Sequence, residues 1–595
     1  MTLRRRGGMR SSRPTSGKKI ELMIEDVYEP LEAYAGEFRE KFLKLAQEKF
    51  RELTDKSGVD IAANRKQVAL VESLEAKLSR VRFKQFWTLL GLIFGFGGAA
   101  VAGWALYAEW VPEKYSLYTI IGIVVAVILA LGLCKICGRL KKVAAELEEK
   151  ESAAKAVAWE QMEPLNRLYT WDIPVRLIEK TVPRLQFDPY FAAKRLADLS
   201  RLYGWDNSYN EGKSVCFAQS GVINGNPFVF GDCREQDWEM VTYRGTKSIS
   251  WTERERGSDG KMHTVTRYET LVATVEAPKP VYQNRKFLLY GNDAAPNLTF
   301  TREPSNLSGE KKGFFKGLMT KRKIGKLKAF SQNLEDESQY TLMGNHEFEA
   351  LFETMNRDNE VEYRLLFTPI AQVQMLKLLR DTKVGYGDDF TFFKDHKVNM
   401  IFADHLDAFT LDTNPELFRD WNYDRAAHDF IEFNTRYFKS LYFAFAPLLA
   451  VPLYQQTRTH EEIWKSVVEP GDPASFWEHE AIANFFGDGR FKHPDCITDN
   501  ILKTQLVSRN GDVSDVAVTA HGFRGEERVT YKDVRGGDGK YHSVAVKWTE
   551  YLPVQKNILL ELVLKVHYKK RVTLRRIIGP KNMIRLIKLK RKLFG

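Results

Sequence analysis

A ten-residue motif that contains Asp, Lys and His occurs twice in the chain. Residues 256–265 read RGSDGKMHTV and residues 535–544 read RGGDGKYHSV. A histidine beside a carboxylate can act as a general base or help to bind a metal ion. The residues that could do this chemistry are Asp259, Gly260, Lys261 and His263 in the first copy and Asp538, Gly539, Lys540 and His542 in the second.

The composition of the two copies favours a structural role. Each copy has one histidine near one aspartate, and nothing nearby completes a metal-binding set at a characteristic spacing. Asp-Gly between alternating strands is typical of a two-residue type I′ hairpin turn, because glycine accepts a positive φ. We therefore predict two related β modules, at about 214–300 and 500–566, with no metal and no cofactor. A membrane-tethered hydrolase or transferase that uses His263 or His542 remains the enzymatic alternative.

Other catalytic signatures are incomplete in this sequence. The segments HEFEA at 346–350 and HEAIA at 479–483 begin like a zinc-protease helix but lack its second histidine. The sequence contains neither a phosphate-binding P-loop nor a G-x-S-x-G nucleophile elbow. The sequence therefore favours a binding or scaffolding protein over an enzyme.

Two uncharged runs predict a pair of membrane-spanning helices. Phe86–Ala108 contains 23 residues and Leu117–Cys134 contains 18. Such lengths match the hydrocarbon core of a bilayer, which is about 30 Å thick. Lysines and arginines are frequent just before the first run and just after the second, whereas the connection contains only Lys114. The positive-inside rule places both long segments, and hence both termini, in the cytoplasm.

Small residues recur every fourth position in the first predicted span. They are Gly91, Gly95, Ala99 and Gly103. A stripe of this kind lets another helix approach closely. Its partner is either the second span of the same chain, a second copy in a homo-oligomer, or another membrane protein. An accessory subunit of a membrane complex is therefore a further alternative function.

The positive charge is concentrated at the two ends of the chain. Residues 1–19 contain seven basic residues and 569–595 contain eleven, with no acidic residue in either segment. Removing these eighteen charges from the net charge of +12 leaves −6 for the body, which argues against a nucleic-acid-binding fold. The cationic end predicts contact with anionic lipid headgroups. The predicted lipid contacts are Lys569, Lys570, Arg571, Arg575, Arg576, Arg585, Lys588, Lys590, Arg591 and Lys592.

The predicted fold class is an α+β membrane protein. It has two N-terminal transmembrane helices, a helical stalk, and two related antiparallel β-rich cytoplasmic modules with an α/β segment between them. The predicted segments are a basic tail (1–19), cytoplasmic amphipathic helices (20–84), the two-span hairpin (85–138), the stalk (139–205), an α+β domain (206–412) with a basic loop (301–328), a helical and aromatic connecting region (413–498), the second β module (499–566) and a basic amphipathic tail (567–595).

One block of the sequence resembles a known family. The matching positions are Phe348, Phe352, Glu362, Arg364, Thr368 and Pro369, followed by the strand pair after Phe390. The block resembles a bacterial two-transmembrane family that is catalogued only as a domain of unknown function. Tyr363 and Phe367 depart from its pattern, and the resemblance covers roughly residues 20–412. It implies a multi-pass protein of the bacterial inner membrane with a cytoplasmic domain, and it implies no activity.

Overall fold

The computed structural model describes residues 29–256, 262–305, 343–455 and 467–562, except positions 109, 111, 355, 470 and 512. Beyond 562 it describes only the backbone, over 563–567, 570–578 and 584–585. The predicted basic tail at 1–19 lies outside these residues, as do most of the basic loop at 301–328 and the first Asp-Gly turn.

Helices and strands both contribute to the fold. The helices are α1 Pro30–Ala33, α2 Arg39–Ser57, α3 Ile61–Tyr107, α4 Glu113–Asn166, α5 Ile173–Thr181, α6 Ala193–Tyr203, α7 His346–Phe352, α8 Glu360–Leu366, α9 Pro369–Arg380, α10 Asp404–Asp407, α11 Tyr423–Leu449 and α12 Phe476–Phe485, with a π-helical turn at Tyr34–Phe38. The strands are β1 Leu185–Phe187, β2 Lys213–Ile223, β3 Asn226–Arg256, β4 Met262–Gly291, β5 Thr299–Arg302, β6 Phe390–Asp395, β7 Val398–Ala403, β8 Ile501–Asn510, β9 Val513–Arg535, β10 Tyr541–His567, β11 Lys570–Ile578 and β12 Ile584–Arg585.

Helices α3 and α4 form a long antiparallel pair. They contain 47 and 54 residues, which correspond to lengths of about 70 and 80 Å at 1.5 Å per residue. Each is long and apolar enough to cross a membrane, and their apolar stretches are almost wholly exposed. The polar halves of the two helices pair as a stalk, where Lys155 bridges to Glu75 at 2.7 Å and Arg82 to Glu148 at 2.8 Å.

The first sheet forms the centre of the body. Its seven strands follow the order β1-β2-β3-β4-β7-β6-β5, and each pair of neighbours is antiparallel. Asn-Gly between two strand-like runs favours a tight hairpin turn, and Asn224 and Gly225, which connect β2 to β3, both have the positive φ of such a turn. Thr followed by Pro is typical of a helix start, and Thr368 caps α9 by accepting from the Ala371 amide while Pro369 begins the helix.

Helix α11 crosses the core of the body. The apolar run at 437–454 is almost entirely buried in this core, and its part up to Leu449 packs there as a helix. Aromatic side chains of α2 pack against α11, with Phe42 stacked on Phe438 at 4.4 Å between ring centroids. Aromatic rings bury large apolar areas and stabilise such contacts further through ring geometry.

The second sheet follows the order β12-β11-β10-β9-β8. The segment predicted as a basic amphipathic tail begins as strand β11, which pairs antiparallel with β10 from Leu559 to His567. Its alternation of polar and apolar residues, for example Arg571-Val572-Thr573-Leu574-Arg575, has the period of two that suits a strand.

Candidate functional site

The two copies of the repeated motif lie at the ends of two long β hairpins. In the first hairpin Arg256 pairs with Met262, and in the second Arg535 pairs with Tyr541. These are equivalent positions in the two motifs, so the strands on either side of both motifs pair in the same register. Descent of the two hairpins from one duplicated unit remains a prediction.

The outer parts of the two hairpins pack face to face, and we call them the crossed arm (residues 236–283 and 523–553). Four side chains are buried between the two ribbons, and partly buried Tyr243, Ile249, Val275 and Val534 surround them. An isolated two-stranded ribbon is marginally stable in water. Each ribbon therefore supplies the apolar surface that the other needs. The four buried residues are Leu271, Ala273, Val544 and Val546.

The backbones of the two ribbons approach closely at Gly245. A Cβ atom added there would lie 2.2 Å from the carbonyl oxygen of Ala545. Beside this crossing the Lys247 ammonium donates to the carbonyl oxygen of Ser543 at 3.1 Å. The absence of a side chain at position 245 thus permits contact between the two backbones.

The second motif forms a three-residue loop, so the predicted two-residue type I′ turn at Asp538–Gly539 is wrong. The Gly539 amide donates to the Gly536 carbonyl, and the Gly536 amide donates to the Lys540 carbonyl. Only Gly539 has a positive φ, +78°. This is the type I turn with a following left-handed glycine that three-residue loops adopt. The Asp538 carboxylate accepts from the Lys540 amide, which stabilises this turn.

The side chains of Asp538 in this loop and His542 in β10 contact each other. Nε2 of His542 lies 3.0 Å from both carboxylate oxygens of Asp538. This hydrogen bond lowers the pKa of Asp538 below its usual value. This contact ties the loop to β10, the second strand of its own hairpin, and gives both side chains a structural partner.

The first hairpin also contacts the second loop directly. The Glu269 carboxylate accepts from the Gly537 amide at 2.6 Å. Cβ atoms added at Gly536 and Gly537 would lie 2.6 Å from Ile249 and 2.7 Å from the Trp251 ring. A side chain at either position would therefore have to displace a side chain of the first hairpin, where the loop of the second rests on it.

The first motif is described only in part. Asp259, Gly260 and Lys261 lie outside the described residues, and His263 is an exposed residue of β4 that faces Glu255 across the hairpin. Among the residues that the structure describes, no group of three His, Cys, Asp or Glu side chains is placed to hold a metal ion. The geometry of the motifs thus supports packing between hairpins.

The sequence reasoning missed a histidine–carboxylate pair in the body. Nδ1 of His405 lies 2.5 Å from Asp389, its Nε2 lies 2.9 Å from the Ser440 carbonyl, and its ring stacks on Tyr386 with 3.9 Å between centroids. Both ring nitrogens are occupied, so neither is free to act on a substrate. The pair connects the end of β7 to α11.

A buried polar joint connects the two sheets, and sequence reasoning missed it as well. Glu480 of α12 is fully buried and pairs with Lys503 of β8 at 2.9 Å. It also accepts from the Val215 amide of β2, and burial raises its pKa. The Ser214 hydroxyl lies between the two sheets and bonds to Leu502. This network holds the second sheet, and with it half of the crossed arm, against the first.

Two asparagines fix the stalk to the body at residues 419–424, which we call the stalk joint. Asn64 is fully buried, donates to the Trp421 carbonyl at 2.9 Å and accepts from the Tyr423 amide at 3.1 Å. Asn166 donates to the Asp420 carbonyl at 3.1 Å. A polar residue at a buried position of an amphipathic helix was the one signal that the sequence offered for Asn64.

The glycines of the small-residue stripe lie in two different environments. Cβ atoms added at Gly91 and Gly95 would lie 3.1 Å from Leu133 and 3.3 Å from Ala130 of α4, whereas one added at Gly103 would meet nothing within 4 Å. Gly91 and Gly95 therefore pack against the chain's own second helix.

For five of the ten predicted lipid-contact residues the structure describes only the backbone, and the other five lie outside the described residues. Lys570, Arg571, Arg575 and Arg576 belong to β11 and Arg585 to β12. Lys569, Lys588, Lys590, Arg591 and Lys592 lie outside the described residues.

Taken together, the chain is a mixed helix-and-sheet protein in which two long, exposed apolar helices join a body with antiparallel sheets. No protein-family model, curated protein or solved structure matches the chain. The resemblance to a bacterial two-transmembrane family therefore stays a prediction.

Proposed function

We propose that this chain is an integral, multi-pass protein of the bacterial inner membrane. Its two apolar helices cross the bilayer, both termini are cytoplasmic, and the body forms a binding or scaffolding region at the inner face of the membrane. The observation that carries the proposal is the continuity of α3 and α4, which run without a break from an exposed apolar pair into a stalk bonded to the body. A stalk of this kind holds a folded region at a fixed distance from the lipid.

The crossed arm is the part of the body best suited to present a binding surface. Its outer faces expose large apolar side chains, including Met240, Tyr268 and Tyr531, which are 60, 80 and 68% exposed. Exposed apolar groups on a projecting element are typical of interaction surfaces. The basic C-terminal residues, from Lys569 to Lys592, are proposed to contact anionic lipid headgroups.

Labelling of single cysteines tests the topology. In a variant without the native cysteines, Ser116→Cys places a thiol near the hairpin tip and Ser508→Cys places one on the exposed part of β8. We expect a membrane-impermeant maleimide to label position 116 in cells with a permeabilised outer membrane. Position 508 should react only after the inner membrane is broken. The reverse pattern, or recovery of the protein in the carbonate-soluble fraction, would contradict the proposal.

An assembly role through the first span is the second candidate, and the open environment of Gly103 favours it. Replacement of Gly103 by Leu should abolish cross-linking of the full-length protein to a second copy or to another membrane protein. Gly122→Leu, on the second span and equally open, serves as the matched control. If cross-linking survives Gly103→Leu, the first span is not the contact surface.

A further inference from the structure

A groove of about 350 Å³ lies where the stalk meets the body. It is lined by the end of α4 with the residue that follows it, and by two residues at the start of the stalk joint and just before it. The lining includes three carboxylates, two guanidinium groups, one amide and one indole. These residues are Glu160, Glu163, Glu416, Arg167, Arg419, Asn166 and Trp159.

The charges of the groove do not balance. Arg167 pairs with Glu163, and Arg419 pairs with Glu416. Glu160 makes no hydrogen bond or ion pair with any residue that the structure describes. The groove therefore has one uncompensated negative charge, which favours a cationic ligand over an anionic one.

A second group in the groove suits a cation. Trp159 is 44% exposed, and an indole face attracts ammonium and guanidinium groups. The indole and the Glu160 carboxylate lie on the same stretch of α4, so one ligand can contact both.

We propose that this groove binds a small organic cation that carries a primary ammonium or guanidinium group. The indole of Trp159 and the carboxylate of Glu160 contact the positive charge, and the ligand N–H donates to the Glu160 carboxylate. A quaternary ammonium ion lacks the N–H donor and binds more weakly. The inference depends on the joint between stalk and body and not on the membrane placement of the helices.

Equilibrium dialysis of the full-length protein in detergent against labelled agmatine tests the site. We expect saturable binding that weakens as salt is added. Glu160→Gln should weaken binding by about threefold to fivefold, the effect of losing one exposed ion pair. Trp159→Leu should weaken it by about twofold to fivefold through loss of the cation–π contact.

Controls separate a site from general charge attraction. Glu149→Gln makes the same charge change on an exposed part of the same helix and should leave the affinity unchanged. Tetramethylammonium should displace agmatine less effectively than guanidinium does. The proposal is overturned by absence of saturable binding, by equal loss in the Glu149 and Glu160 variants, by unchanged affinity in Trp159→Leu, or by equal displacement by the two ions.

Discussion

At the residue scale, His479 is the clearest case of a titratable group that folding keeps neutral. It is 2% exposed in α12, and neither ring nitrogen has a hydrogen-bond partner among the described residues. Burial, with a smaller contribution from the positive charge of Arg509, lowers its pKa from 6.5 to about 4. The unfolded chain therefore binds a proton between these two values while the folded chain does not, so stability falls as the pH drops from 6.5 toward 4.

Replacement of His479 by Leu should remove this acid sensitivity. The linkage amounts to at most about 3 kcal/mol, since one pKa unit corresponds to about 1.4 kcal/mol. The thermal unfolding midpoint of His479→Leu should fall less between pH 7 and pH 4.5 than that of the natural protein. His428→Leu alters a histidine whose side chain is 73% exposed and should keep the natural pH dependence. Equal pH dependence in the natural protein and His479→Leu would show that this histidine is not the cause.

At the scale of elements, the crossed arm depends on the contact between two backbones at Gly245. A methyl group there would lie within 2.2 Å of the Ala545 carbonyl oxygen, so one ribbon must move. Overpacking of this kind costs about 1–3 kcal/mol. We expect Gly245→Ala to raise amide hydrogen exchange in both halves of the arm. Gly344→Ala, where the added methyl group meets nothing within 4 Å, is the matched control. Unchanged exchange at 541–546 would contradict the proposed crossing.

The arm also shows how far the sequence can predict this structure. Local sequence patterns are sufficient to predict the Asn224–Gly225 turn and the Thr368 cap, because each depends on residues a few positions apart. The Asp538–Gly539 loop was assigned the wrong turn, since the hydrogen bond of Asp538 to the Lys540 amide and the contact with Glu269 decide its shape. The packing of one hairpin on the other joins residues far apart in the chain, and a local sequence pattern cannot predict contacts of that kind.

At the scale of the whole molecule, the stalk joint decides whether the long helix pair and the body behave as one unit. The sequence predicts the apolar helices and the helical stalk. Nothing in it indicates which residues of the body the stalk contacts. Asn64 supplies much of that contact, because its amide both donates to and accepts from the backbone at Trp421 and Tyr423. The nearby pair of Arg65 with Asp424 at 2.8 Å is exposed and contributes little.

Replacement of Asn64 by Leu should therefore loosen the stalk from the body. It leaves the partly buried Trp421 carbonyl and Tyr423 amide without this partner, at a cost of up to about 1–3 kcal/mol for each group. Hydrogen exchange should rise at the amides of 421–426 while the exchange of β2 and β3 stays unchanged. Asn64→Asp keeps the acceptor for the Tyr423 amide and should restore part of the protection, whereas Arg65→Ala should have little effect. If Arg65→Ala loosens the joint as much as Asn64→Leu does, the exposed ion pair, and not the buried amide, couples the helix pair to the body.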